Sequence, residues 1–385
     1  MKRVLALDML RGYALVCIML DHMPLGYLRQ VTLTNFALYD AAELFVLLSG
    51  FLVGLVWIKV EAESGLRTAQ WRFVRRAGQV WLALVLGGIL LALVSRLLLE
   101  AGLPHTAIWN RYAEWVIEAP LNYAAVLAVM WLQPNLLDVL ALYVVLLASA
   151  PVLVPLLLRW PWAFAAGSLA LWWVAVPLNA MLPNHRVQGG LLFNPFGWQL
   201  LFYSGVAMGA FRHRFMPVLR RRSGWLTAVS AVITLWSLAM VALWRLGPEG
   251  KQLADAMWEM VGRVDKWSLA GARFVAIMAA SWLVAVPLAG IFAWMAASPP
   301  GRALARIGRG GLLAFVACVM LSVLGDAVAG ALPRAVPARL AVDLWTIAIL
   351  WLCSDLWLTL RERHERRAKP GTPGARDAMS RGSAS

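Results

Sequence analysis

Arg11 and His22 stand eleven residues apart in an otherwise apolar stretch, with Asp8 three residues before the arginine and Asp21 next to the histidine. Eleven residues make about three helical turns, so the two side chains share one helix face. They lie about 16 Å apart along the axis, roughly half of a ~30 Å hydrocarbon core. Asp8 can pair with Arg11 from the i−3 position as structural support. Charge placed in hydrocarbon is costly, so a polar stripe of this kind points to function. Its plainer reading is an interface pair and a hydrated boundary histidine. A second set follows in Asp40 and Glu43, three residues apart, with Ser49 and Gly50 after them. A carboxylate beside an imidazole fixes its tautomer and raises its basicity, which makes His22, Asp40 and Glu43 a candidate catalytic group. The same acids also suit a solvated helix start, where the dipole favours negative charge. The third set is Arg72 and Arg75, with Arg76 adjacent. Such guanidinium groups can clamp phosphate or carboxylate oxygens, or can simply mark the cytoplasmic side of a membrane. Asp138, Tyr143, Asp343 and Asp355 are further polar residues within apolar segments, and Asp138 joins Asp8 as structural support. Asp343 and Asp355 are twelve residues apart and do not share a helix face. His185 and Asn194, in an exterior loop, could line a site.

The elements that carry these residues are helices in a bilayer. The chain has 385 residues, of which 61% are hydrophobic and 14% charged, against about 45–50% and about 25% in ordinary globular chains. Mean hydropathy is +0.70. A soluble chain cannot cover that much apolar surface with polar groups. Ten segments are long and apolar enough to be read as spans: 5–23, 39–58, 77–99, 136–158, 161–181, 197–211, 224–244, 272–296, 310–331 and 339–360. The segment 121–133, bracketed by Pro120 and Pro134, reads as an interfacial or re-entrant helix. No period-two alternation argues for barrel strands. The fold class is therefore all-α and polytopic, with one membrane-embedded domain over residues 1–360 and a basic, disordered cytoplasmic tail over 361–385.

With the N-terminus in the cytoplasm, about two-thirds of the 35 basic residues fall on the cytoplasmic side. The positive-inside rule then puts both termini there. The net charge of +15 accordingly reports topology and not a nucleic-acid partner. Cys17, Cys318 and Cys353 all lie in apolar runs, so neither a disulfide framework nor a metal site is expected. The charges in the first apolar segment do not suit a cleavable signal peptide. Every loop is too short to house a soluble catalytic domain, which leaves the chemistry to residues in the membrane or at its edge.

Leu10-Arg11-Gly12, His22 and the run Asp40-Ala41-Ala42-Glu43-Leu44-Phe45-Val46-Leu47-Leu48-Ser49-Gly50-Phe51 resemble the OpgC family of integral membrane proteins. So do Gln133-Pro134-Asn135-Leu136-Leu137-Asp138, Phe193-Asn194-Pro195-Phe196-Gly197-Trp198-Gln199, Asp265-Lys266 and Ile307-Gly308-Arg309. That family is similar to the wider acyltransferase-3 membrane proteins. These share an arginine and a histidine separated by ten residues in the first span, as Arg11 and His22 are. They also share two arginines separated by two residues near the third, as Arg72 and Arg75 are. The resemblance implies a multi-pass protein of the bacterial inner membrane. It would transfer an acyl group, succinyl in OpgC relatives, from cytoplasmic acyl-CoA to an extracytoplasmic glucan. His22 would be base or nucleophile, Asp40 or Glu43 would orient it, and Arg11, Arg72 and Arg75 would bind the co-substrate acyl-CoA, with no metal. The competing reading is a transporter or flippase for an anionic or carbohydrate substrate, in which the same residues form a proton or substrate path.

Overall fold

The computed structural model describes residues 4–103, 110–134, 136–184, 189–261 and 265–368. His185 and the tail beyond Ala368 lie outside the described residues. Within them are sixteen α-helices and no strand. They are α1 (Leu5–Asp21), α2 (Ala41–Ser64), α3 (Leu66–Glu100), α4 (Asn110–Glu118), α5 (Pro120–Ala128), α6 (Asp138–Arg159), α7 (Pro161–Trp173), α8 (Ala175–Ala180), α9 (Pro195–Arg221), α10 (Ser223–Arg245), α11 (Pro248–Val261), α12 (Gly271–Ala285), α13 (Ala289–Ala297), α14 (Pro299–Arg309), α15 (Gly311–Ala331) and α16 (Val336–Ala368).

Each of the ten apolar segments is helical, but six helices alone are long and apolar enough to cross a bilayer: α2, α3, α6, α10, α15 and α16. A seventh crossing is formed if α12 and α13, bent by 73° at their break, count as one. The other segments fall short for local reasons. α1 has 17 residues and carries Asp8, Arg11 and Asp21. Segment 161–181 breaks at Val174, because the Pro177 ring cannot coexist with a helical carbonyl at Trp173. Pro287 ends α12 in the same way. α9 is long, but Gln199, Ser204 and three glycines dilute its apolar character. Residues 120–128 form α5, with Pro120 opening the helix where its missing N–H costs nothing. The Trp81 indole donates to the Ala128 carbonyl at its far end.

Among helices distant in sequence, two pairs approach at backbone contact. Gly50 and Gly54 of α2 face Gly205 and Gly209 of α9, four residues apart on each helix, and a Cβ on any of them would overlap a carbonyl oxygen of the partner. Gly12 of α1 and Gly308 of α14 repeat the arrangement against the carbonyls of Leu304 and Asp8. Where no hydrophobic drive separates helix from lipid, close packing of this sort holds a bundle together. Prolines inside α6 are accommodated too. Pro155 has no N–H for the Pro151 carbonyl, and Gln70 of α3 donates to that oxygen at 2.9 Å instead.

The loop from α1 to α2 is pinned from two sides. The Tyr27 and Leu28 amides each donate at 2.7 Å to Asp343 of α16. Thr32 and Thr34 donate to the two carboxylate oxygens of Asp21 at 2.5 and 2.8 Å. Asp343 and Asp355 act separately, the latter pairing with Arg306.

Candidate active site

Asp40 and Glu43 open α2 as a reciprocal cap. The Ala42 amide donates to Asp40 at 2.8 Å, and the Asp40 amide donates to Glu43 at 3.0 Å. Asp40 is 6% exposed and Glu43 fully buried, so their charges need partners inside the protein. Those come from far along the chain. Lys266 Nζ lies 2.5 Å from Asp40 Oδ2. Arg273, in the first turn of α12, bridges both acids, at 2.6 Å from Glu43 and 3.4 Å from Asp40. Burial opposes the Lys266 ammonium, but Asp40 and then Glu43 overcome that and hold its pKa above the ordinary lysine value.

The segment carrying Lys266 is built to hold it. Asp265 accepts from the amides of Trp267 and Ser268. The Trp198 indole reaches the carbonyls of Lys266 and Trp267, and the Asn194 amide donates to Trp267 O at 2.8 Å. Asn194 also caps α9 by accepting from Phe196 and Gly197. Lys266 Nζ sits 5.7 Å from the Phe193 ring and 5.6 Å from the Trp267 ring, which adds cation–π attraction.

His22 caps the C-terminus of α1 and is exposed. Its Nδ1 lies 2.6 Å from the Ile18 carbonyl oxygen. A carbonyl can only accept, so Nδ1 carries a proton, and in the neutral imidazole Nε2 keeps its lone pair. The hydrogen-bond partner of His22 comes from the backbone of α1, while Asp40 and Glu43 pair with Lys266 and Arg273. His22 still lies near enough to Lys266, Asp40 and Arg29 to feel their charges.

The arginines gather at the other end of α1 and α2. Because α3 begins at Leu66, Arg72 and Arg75 share its first turns. A cavity of about 1700 Å³ opens there, lined by Arg11, Arg67, Arg72, Arg75, Arg76 and Arg361, with Ser49 and Tyr143 at its wall and no carboxylate in its lining. Arg11 sits 6.0 Å from the Phe45 ring. Six guanidinium groups around one chamber have the chemistry to suit anionic ligands, and one of them, Arg361, also pairs with Glu365 at 2.9 Å. The structure thus brings Arg11, Arg72 and Arg75 into one chamber and sets His22, Asp40 and Glu43 at the opposite end of the same two helices. Asp8 and Asp138 are buried in the first turns of α1 and α6, where the helix dipole favours acids.

The family profile described as OpgC protein matches residues 3–361. The chain belongs to the OpgC family. No match was found among curated proteins or among solved structures. In this OpgC chain the sequence reading singled out neither Arg273 nor the pairing of Lys266. Arg273 stands one residue inside the apolar segment 272–296, so the cost of intramembrane charge was the signal that could have found it.

Proposed function

We propose that this OpgC-family protein is a membrane acyltransferase that moves an acyl group, succinyl in the first instance, from cytoplasmic acyl-CoA to a hydroxyl of a periplasmic glucan. The observation that carries the reading is the chamber lined by six arginines, with no carboxylate among its described lining residues. Coenzyme A presents a pyrophosphate and a further phosphate, and succinyl adds a carboxylate; bidentate guanidinium groups suit each of them. The abundance of basic residues on that side agrees with a cytoplasmic mouth. A thin pantetheine arm could then run along α1 from Arg11 towards His22.

At the outer end the lone pair of His22 Nε2 takes the proton of a glucan hydroxyl. The alkoxide oxygen bonds to the thioester carbonyl carbon, the C–S bond breaks, and the departing coenzyme A sulfur receives the proton from His22. The products are a glucan ester and free coenzyme A. The Ile18 carbonyl keeps the imidazole in the required tautomer. Asp40 and Glu43 act through Lys266 and Arg273 as positioning residues, holding the loop that faces His22.

The test is acyl transfer from succinyl-CoA to glucan by protein in lipid nanodiscs. His22→Ala should abolish transfer while the protein remains folded. Arg72→Ala with Arg75→Ala should raise the KM for succinyl-CoA at least tenfold, with little change in the KM for glucan, each lost charged hydrogen bond being worth about 1.5–3 kcal/mol. Transfer that survives His22→Ala would refute the reading.

A further inference from the structure

A second cleft, separate from the arginine chamber, opens at the His22 end. It has a volume of about 730 Å³ and is walled by Thr34, Ala37 and Leu38 of the α1–α2 loop, by Trp244 of α10, by Asp255, Trp258 and Glu259 of α11, and by Arg273. Two connections tie it to the site already described. Thr34 donates to Asp21, the neighbour of His22, and Arg273 is the cation that bridges Glu43 and Asp40.

Its chemistry differs from that of the chamber. Trp244 and Trp258 meet edge to face with ring centres 6.3 Å apart. The Trp258 indole N–H is buried and has no hydrogen-bond partner, and a buried donor left unmade is destabilising. The exposed Asp255 and Glu259 stand one turn apart on the same helix. Flat apolar rings flanked by carboxylates and an unfilled N–H donor match a pyranose. Its C–H face packs on indole, its hydroxyls donate to carboxylates, and its ring or hydroxyl oxygens accept from the indole.

We infer that the cleft between α10, α11 and the α1–α2 loop is the acceptor site, which binds a neutral gluco-oligosaccharide and delivers its hydroxyl to His22. This rests on the acyltransferase reading for its purpose but not for its binding chemistry. The charge pattern adds a consequence. Asp255 and Glu259 accept hydrogen bonds from an uncharged glucan and repel one that already carries a succinyl carboxylate, so the acids favour release of product.

The experiment measures binding without acyl donor, by isothermal titration of full-length protein in nanodiscs with a linear glucohexaose and with its succinylated form. The wild type should bind the neutral sugar more tightly than the succinylated one. Asp255→Asn with Glu259→Gln should weaken neutral-sugar binding about tenfold or more and narrow the preference between the two sugars. Trp258→Phe, which keeps a benzene ring and removes the N–H together with the five-membered ring that bears it, should weaken binding several-fold. Trp162→Phe, at an exposed tryptophan outside the cleft, should change nothing. Absence of glucohexaose binding to the wild type, or unchanged affinity in the folded acidic double variant, would overturn the inference. Acyl transfer, assayed in parallel, separates the two ideas. Sugar binding that depends on these residues without any transfer from succinyl-CoA would retain the cleft and remove the acyltransferase reading. Transfer with unchanged binding in the variants would do the reverse.

Discussion

Arg273 is the residue on which the site at the His22 end depends. It is 12% exposed and meets a Glu43 side chain with no exposure at all. Removing one partner of a buried pair leaves an uncompensated charge, at a cost of about 3–5 kcal/mol. Arg273→Ala should therefore lower the thermal unfolding midpoint in nanodiscs substantially, whereas His22→Ala, at an exposed position, should leave it near the wild-type value. Arg273→Lys should recover only part of the loss, since an ammonium cannot reproduce the guanidinium fork that spans Glu43 and Asp40. Equal midpoints for Arg273→Ala and wild type would show that the pair contributes nothing to the fold. His22 was legible at this scale because a histidine on a polar stripe in an apolar segment is costly wherever it packs. Its hydrogen-bond partner was not, since a backbone carbonyl one turn back leaves no mark in the side-chain pattern.

At the scale of elements, the contact between α2 and α9 joins the chamber to the site at the His22 end. Gly50, Gly54, Gly205 and Gly209 let the two backbones touch, and α2 carries Glu43 at one end of that seam and the chamber residues Leu52, Val53 and Val56 at the other. Gly205→Ala puts a methyl group against the Leu47 carbonyl and the Phe51 amide, so the helices must separate. The matched change Gly78→Ala, in α3, meets open space and removes a helix-interior glycine worth about 1 kcal/mol. Gly205→Ala should lower the unfolding midpoint and transfer activity together, while Gly78→Ala should preserve or raise stability. The prolines act at the same scale. Pro177 and Pro287 divide segments that hydropathy reads as continuous, which accounts for two of the four apolar segments that are not among the six unbroken crossing helices of the described residues; α1 is short and charged, and α9 is diluted by polar residues and glycines.

For the whole molecule, the charge distribution predicts orientation. The α2–α3 junction and the chamber mouth should face the cytoplasm, and α11 the opposite side. In intact cells carrying Cys353→Ser, a membrane-impermeant maleimide should label Lys251→Cys on α11 and spare Glu63→Cys at the end of α2. Labelling of Glu63→Cys alone would invert the topology and place the arginine chamber outside, away from any acyl-CoA. The opposed positions of an arginine-lined chamber and an aromatic, acidic cleft give the molecule two unlike mouths at opposite ends of α1 and α2.

The amino-acid sequence determined the class of the protein and its costly residues. Apolar length, the clustering of basic residues and the Arg11–His22 spacing are properties of short stretches, and helical periodicity turns them directly into faces. The alignment of Arg72 and Arg75 was legible for the same reason, since the two need only a helix to share a face, whereas the arrival of Arg67 and Arg361 beside them was not. What only the tertiary structure decided is which distant groups meet. Lys266 and Arg273 close on acids more than two hundred residues earlier, and Trp244, Trp258, Asp255 and the α1–α2 loop enclose one cleft. Such meetings depend on how glycine-faced helices dock and where prolines break them, and hydropathy, being blind to which helix lies beside which, carries no record of that.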